Sequence, residues 1–162
     1  MNGLEQVKQA VAGALNQAGL AVRTAFEPGW AARCDRPVAA VGLRTGESRG
    51  GAMGRYLGQT PDRREVYGLR LELTLSMDLY SPAELGAPGC DSALETLHQV
   101  MLSGLPAGLR PAELRWEETV WDEDTAMFVR RGSLSCGAYF TAEASEDGVL
   151  LTDFILKGVV RK

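Results

Sequence analysis

Residues 67–79 read Tyr67-Gly68-Leu69-Arg70-Leu71-Glu72-Leu73-Thr74-Leu75-Ser76-Met77-Asp78-Leu79. Every odd position is apolar, and every even position is glycine, polar or charged. Side chains of a strand alternate between its two faces, so this run predicts one long strand with a buried face and a wet face. Leucine favours helices by propensity, but a helix would scatter these leucines around its whole circumference. A strand buried in a parallel sheet would be apolar on both faces. The alternation therefore points to a sheet covered on one side only.

Working outward, Ser81-Pro82 and Gly86-Ala87-Pro88-Gly89 interrupt the strand. A helix is expected over 91–104. Cys90, Leu94, Leu97, Met101 and Leu105 form its apolar stripe, Ser92 with Glu95 reads as a capping box, and Gly104 with Pro106 ends it. Three strands follow in the reading. Residues 112–121 turn Leu114, Trp116 and Val120 to one face. Residues 126–141 do the same with Phe128, Leu134, Cys136, Ala138 and Phe140. Residues 149–160 are more continuously apolar. The polar clusters at 122–125 and 145–148 are hairpin turns between them.

Toward the N-terminus, Leu4, Val7, Val11, Leu15 and Ala18 recur at spacings of three and four, which predicts a helix over 3–18 with Gly19 as its C-cap. Leu20 to Phe26 and residues 37–43 read as short strands. Residues 44–65 carry five glycines and five arginines but only Met53 and Leu57 as aliphatic side chains, so the expectation is a flexible loop. Two apolar-striped helices must cover one face of this sheet. The fold class is α+β, two-layered, with a mainly antiparallel sheet and two amphipathic helices on one face, in a single domain over 1–162.

The chain has 17 Lys and Arg against 21 Asp and Glu, a formal net charge of −4. That balance argues against a broad nucleic-acid-binding face. Glu5, Gln6, Lys8 and Gln9 interrupt the apolar residues of the first helix, so no export signal or membrane span is read and a cytoplasmic protein is expected. Cys34, Cys90 and Cys136 are widely spaced without a CxxC pair, which supports neither a disulfide framework nor a zinc site. His98 is the single histidine. A cysteine nucleophile needs a base to form thiolate, and Cys90 lies about 12 Å along the helix from His98.

The glycine-rich segment lacks the Lys-Ser/Thr of a phosphate loop and leads into a strand instead of a helix. Its arginines, Arg44, Arg49, Arg55, Arg63 and Arg64, are instead candidates for binding a partner through forked guanidinium contacts. Glu113, Glu117, Glu118, Asp122, Glu123 and Asp124 fall within twelve residues, opposed only by Arg115. The stretch has neither the length nor the glycine of an EF-hand calcium loop. It reads as a charged hairpin edge that resists strand pairing, or as an acidic patch, with Glu117, Glu118, Asp122, Glu123 and Asp124 meeting the arginine-rich segment of a neighbouring copy. Such a head-to-tail contact closes into a ring when the rotation allows.

The order of elements resembles the small tail-terminator, or tail-completion, proteins of long-tailed bacteriophages and prophages. The residues that carry this are the amphipathic N-terminal helix, the basic segment 44–65, the long alternating strand ending in Asp78-Leu79-Tyr80-Ser81-Pro82, and the helix opened by Gly86-Ala87-Pro88-Gly89-Cys90. The likeness spans most of the chain as a pattern and includes no catalytic motif. It implies a structural subunit of a ring, commonly hexameric, that caps the tail tube and joins it to the head-side connector. It also implies no enzymatic activity, no cofactor and no metal, with tail-tube and connector proteins as partners, assembly in the host cytoplasm and a final place in the virion tail. The alternative is a small-molecule-binding or enzymatic domain with a pocket between helix 91–104 and the sheet, served by Cys34, Cys136 and His98.

Overall fold

The structure, a computed structural model, describes residues 3–49, 55–105 and 108–144. The elements run α1 (Gly3–Gln17), β1 (Ala21–Arg23), a 3-10 turn (Ala31–Arg33), β2 (Val38–Arg49), β3 (Arg55–Gln59), β4 (Glu65–Pro82), α2 (Pro88–Ser103), β5 (Arg110–Asp122) and β6 (Met127–Ala144). The sheet has six strands in the order β1-β2-β4-β6-β5, with β3 also paired to β4. Among the described residues only β1 and β2 run parallel. The fold is α+β with an open, mainly antiparallel sheet. The strand expected over 149–160 and the turn expected over 145–148 lie outside the described residues.

The alternating run of β4 decides the packing. Leu71, Leu73, Leu75, Met77 and Leu79 are buried. They share one core with Val7, Val11 and Leu15 of α1, with Ala93, Leu97 and Val100 of α2, and with Leu134, Cys136 and Ala138 of β6. Both helices therefore cover the odd-numbered face of β4. The register carries the same phase onto β6, where Leu134, Cys136 and Ala138 pair with Leu75, Leu73 and Leu71.

Local chemistry sets the ends of the helices. Gly19 takes φ +90°, and the N–H groups of Gly19 and Leu20 donate to the carbonyls of Asn16 and Leu15. This is the left-handed cap the sequence predicts. Helix α2 begins three residues earlier than expected. Pro88 occupies its first turn behind Ala87, so Ser92 and Glu95 lie inside the helix and form no capping box. Proline suits a first turn because its missing N–H would have no helical partner there. Gly89 also lets the helix approach β4, since a Cβ there would collide with Ser81.

Three differences from the sequence reading change the surface. First, the segment 44–65 is not a loop in its described residues. Residues 44–49 extend β2, with 45–49 paired to 70–74 of β4, and residues 55–59 form β3 against 65–68. The turn between β3 and β4 is tight: Thr60 N–H donates to Arg64 O at 2.9 Å, and Arg63 N–H donates to Thr60 O at 2.9 Å. Second, β4 outruns the helices. Its 18 residues span about 60 Å, whereas α2 with 16 residues spans about 24 Å. Leu69 is 36% exposed although the alternation assigns it to the buried face. Third, the register of β5 on β6 shifts between Trp116 and Thr119. This bulge at Glu117–Glu118 reverses the phase. Thr119 then pairs with Arg130 and Val120 with Val129, so Val120 lies on the face opposite Leu114 and Trp116.

Candidate functional site

The ten charged residues singled out in the sequence fall in three places. Arg44 sits at an irregularity of β2 between Leu43 and Thr45, in the middle of the sheet. Glu117 and Glu118 occupy the β5 bulge. The other seven do not join them. Arg49 pairs with Arg70 and Arg55 with Gly68 near one end of the sheet, where Arg63 and Arg64 form the β3–β4 turn. Asp122 closes β5 at the opposite end, and Glu123 and Asp124 lie in the β5–β6 turn. The Asp122 carboxylate accepts a hydrogen bond from the Thr125 hydroxyl at 2.6 Å, which organises that turn.

The end of the sheet beyond Leu71 forms an arm of β3, β4 and the terminal part of β6. No helix among the described residues lies over it. Tyr56 and Tyr67 pair across β3 and β4, with ring centroids 5.7 Å apart in an edge-to-face arrangement. The Tyr67 hydroxyl donates to Glu65 Oε2 at 2.6 Å, and this bond holds the phenol above its usual pKa. Tyr56 is 56% exposed.

At the middle of the sheet, the face away from the helices carries a cleft of about 820 Å³ lined by Arg44, Ser76, Asp78, Arg131, Gly132 and Ser133 among others. Asp78 is half-buried there and accepts a long hydrogen bond from Gly132 N–H at 3.4 Å. Burial pushes its carboxyl above the usual range, and the Gly132 amide, Arg131 and Arg44 pull against that effect. A second cleft of about 670 Å³ on the same face is lined by Thr45, Glu72, Thr74, Arg110, Ser135 and Tyr139 with their neighbours. The open face is thus a polar trough that can hold hydrogen-bonding groups of either charge. Toward the hairpin end it is closed by Trp30, which packs edge-on against Tyr80 at 5.1 Å.

Sequence reasoning missed Asp78 and Arg131, because each reads as one more polar alternate on a wet face. The signal was Gly132 in the neighbouring strand. A Cβ there would lie 2.9 Å from Met77 O and 3.0 Å from Arg115 O, so glycine alone fits between the flanking strands at the position whose N–H reaches Asp78.

The groups proposed for chemistry are held in structural roles. His98 Nδ1 lies 3.0 Å from Leu94 O, which makes that nitrogen the donor, and its ring meets Trp116 edge-on at 5.2 Å. Cys90 donates to Leu79 O at 3.4 Å. Burial pushes the thiols of Cys90 and Cys136 up, which disfavours thiolate. The Cys34 thiol donates to Trp30 O at 3.4 Å. No hydrogen bond among the described residues joins His98 to a thiol. The space between α2 and the sheet is filled by Ala93, Leu97 and Val100. Among the described residues no group of three or more His, Cys, Asp or Glu side chains converges to hold a metal ion. No described helix is long and apolar enough to cross a membrane.

Compared with known proteins, the chain matches no family model and no curated protein.

Proposed function

We propose that this chain is a structural assembly subunit that forms a ring in the manner of a phage tail terminator, capping a tail tube and joining it to a connector. The observation that carries the reading is the arm. A sheet that outruns its helix layer leaves Leu69 and Tyr56 exposed beyond the core. Monomeric proteins blunt or cover such extensions, because exposed strands and apolar groups invite association. A subunit that completes its surface against neighbours retains them. The polar trough on the other face supports the same reading, since a ring subunit must also present a hydrated face to a tube or channel.

Sedimentation velocity across a wide concentration range, with negative-stain electron microscopy of the largest species, tests the proposal. A closed ring of fixed copy number is the expected result. A chain that remains monomeric at the highest concentration and yields no rings would overturn it.

A further inference from the structure

The two charged ends of the sheet cannot meet within one molecule. Pro82 pairs with Met127 at the acidic end, and Glu65 pairs with Ala144 at the arm end. The strand between them spans about 56 Å at the rise of an extended chain. Glu123 and Asp124 make no ion pair among the described residues, and neither does Arg63. Each end also presents an aromatic pair. Trp121 is 46% exposed and packs edge-on against Phe128 at 5.1 Å, while Tyr56 is 56% exposed and packs against Tyr67. Trp121 pairs with Phe128 and Phe128 with Ser81, so both aromatic pairs lie on the helix side of the sheet. One end therefore combines aromatic surface with negative charge. The other combines aromatic surface with the Arg63–Arg64 turn.

We propose that the acidic β5–β6 turn of one copy docks on the β3–β4 turn and the Tyr56–Tyr67 face of the next. Glu123 and Asp124 meet Arg63 and Arg64, and Trp121 lies against Tyr56. This names the contact within the assembly proposed above and rests on that reading. An apolar centre with a charged rim is the ordinary anatomy of a specific interface. The charges act mainly by steering encounter and rejecting wrong orientations. Because the two patches differ, the contact is head-to-tail and propagates from copy to copy until it closes.

Two charge reversals test it. One full-length variant carries Arg63→Glu and Arg64→Glu, and the other carries Glu123→Lys and Asp124→Lys. All four positions are exposed turn residues, and circular dichroism with thermal melting checks that both variants remain folded. Each variant alone should assemble at a midpoint concentration raised about tenfold or more, because like charges now face each other. Mixing the two brings unlike charges together at every contact between different variants, where the two reversed turns meet and where the two native turns meet, so the mixture should regain assembly with the variants alternating. A chain carrying all four reversals should regain assembly near the wild-type midpoint. Wild-type assembly should also weaken as salt rises from about 50 mM to about 500 mM. If the wild type assembles and both variants assemble equally well, this contact is overturned while the ring reading stands, and the arm's aromatic face belongs to a different partner. If the wild type does not assemble, the ring reading fails and this contact fails with it.

Discussion

Arg130 Nη2 lies 2.6 Å from Asp91 Oδ1, and this ion pair ties the start of β6 to the first turn of α2. The same guanidinium donates through Nη1 to Glu117 O at 3.1 Å, at the β5 bulge. The Arg130 side chain is only 16% exposed. One side chain thus fastens α2, β6 and the edge strand β5 together. Replacing Asp91 with Ala removes the carboxylate and leaves a largely buried cation without it. Loss of a hydrogen bond to a charged group costs about 1.5–3 kcal/mol, and the exposure of Asp91 puts the expectation near the lower value. Urea denaturation of the folded variant measures it.

Leu75 and Leu69 look equivalent in the sequence, and the structure separates them. Leu75 is fully buried opposite Leu134. Leu75→Ala is expected to cost about 2–5 kcal/mol. Leu69→Ala, on the arm, is expected to cost under about 1 kcal/mol in the monomer, because much of that side chain is already in water. Equal losses at the two positions would contradict the described end of the core.

Asp78 is harder to ionise in the folded chain than in the unfolded one, because burial raises its pKa above the ordinary carboxyl value. The folded state therefore binds that proton more tightly. The ionised carboxyl costs stability at pH values above its raised pKa. The cost shrinks as pH falls through that value and is gone below the unfolded one. Asp78→Asn is expected to raise the melting temperature by a few degrees at pH 7 and to leave it unchanged below about pH 3.8. A lower melting temperature at pH 7 would mean that Arg44 and Arg131 outweigh burial.

Gly132→Ala adds a Cβ into a space bounded by two backbone oxygens, from Met77 and Arg115. Backbone cannot swing aside as a flexible side chain would. The expected loss is about 1–3 kcal/mol, accompanied by altered fluorescence of Trp116, which pairs with Gly132.

Thiol labelling separates the three cysteines. Cys90 and Cys136 are buried, and Cys34 is partly exposed. A colourless-to-coloured disulfide reagent should titrate a single thiol quickly in the native protein and all three after denaturation. The fast reaction should vanish in Cys34→Ser. Rapid native labelling of Cys136 would contradict the packing of the β4–β6 core.

Much of the fold was legible because burial writes a period into sequence. The alternation from Leu71 to Leu79 and the spacing from Val7 to Leu15 each follow from a single covered face. Where that cover ends, the signal ends too. Residues 44–48, Tyr56 and Gln59 are all exposed, so successive positions carry no period of burial and the glycines and arginines of the segment read as a loop. Their strand state is fixed by hydrogen bonds to β4, which sequence pattern does not record. The β5 bulge was hidden for a related reason. Glu117 and Glu118 are two successive polar residues, and nothing in them marks which one is extra. For the charged residues, the sequence supplied identities and signs. Their separation to opposite ends of one long strand pair came from the register of β4 on β6.

That register also bears on the order in which β6 can pair with β4. The chain separation between paired residues is smallest at Pro82 and Met127 and grows steadily toward Glu65 and Ala144. Closing a longer loop costs more entropy, and distant pairings form late. Pairing of β6 on β4 is thus expected to advance from the Pro82–Met127 end, across the leucine core, to the arm. The β3–β4 hairpin of the arm closes locally, from Gln59–Glu65 to Arg55–Gly68, so the surface on which another copy is proposed to dock does not wait for the distant Glu65–Ala144 pairing that adds β6 behind it.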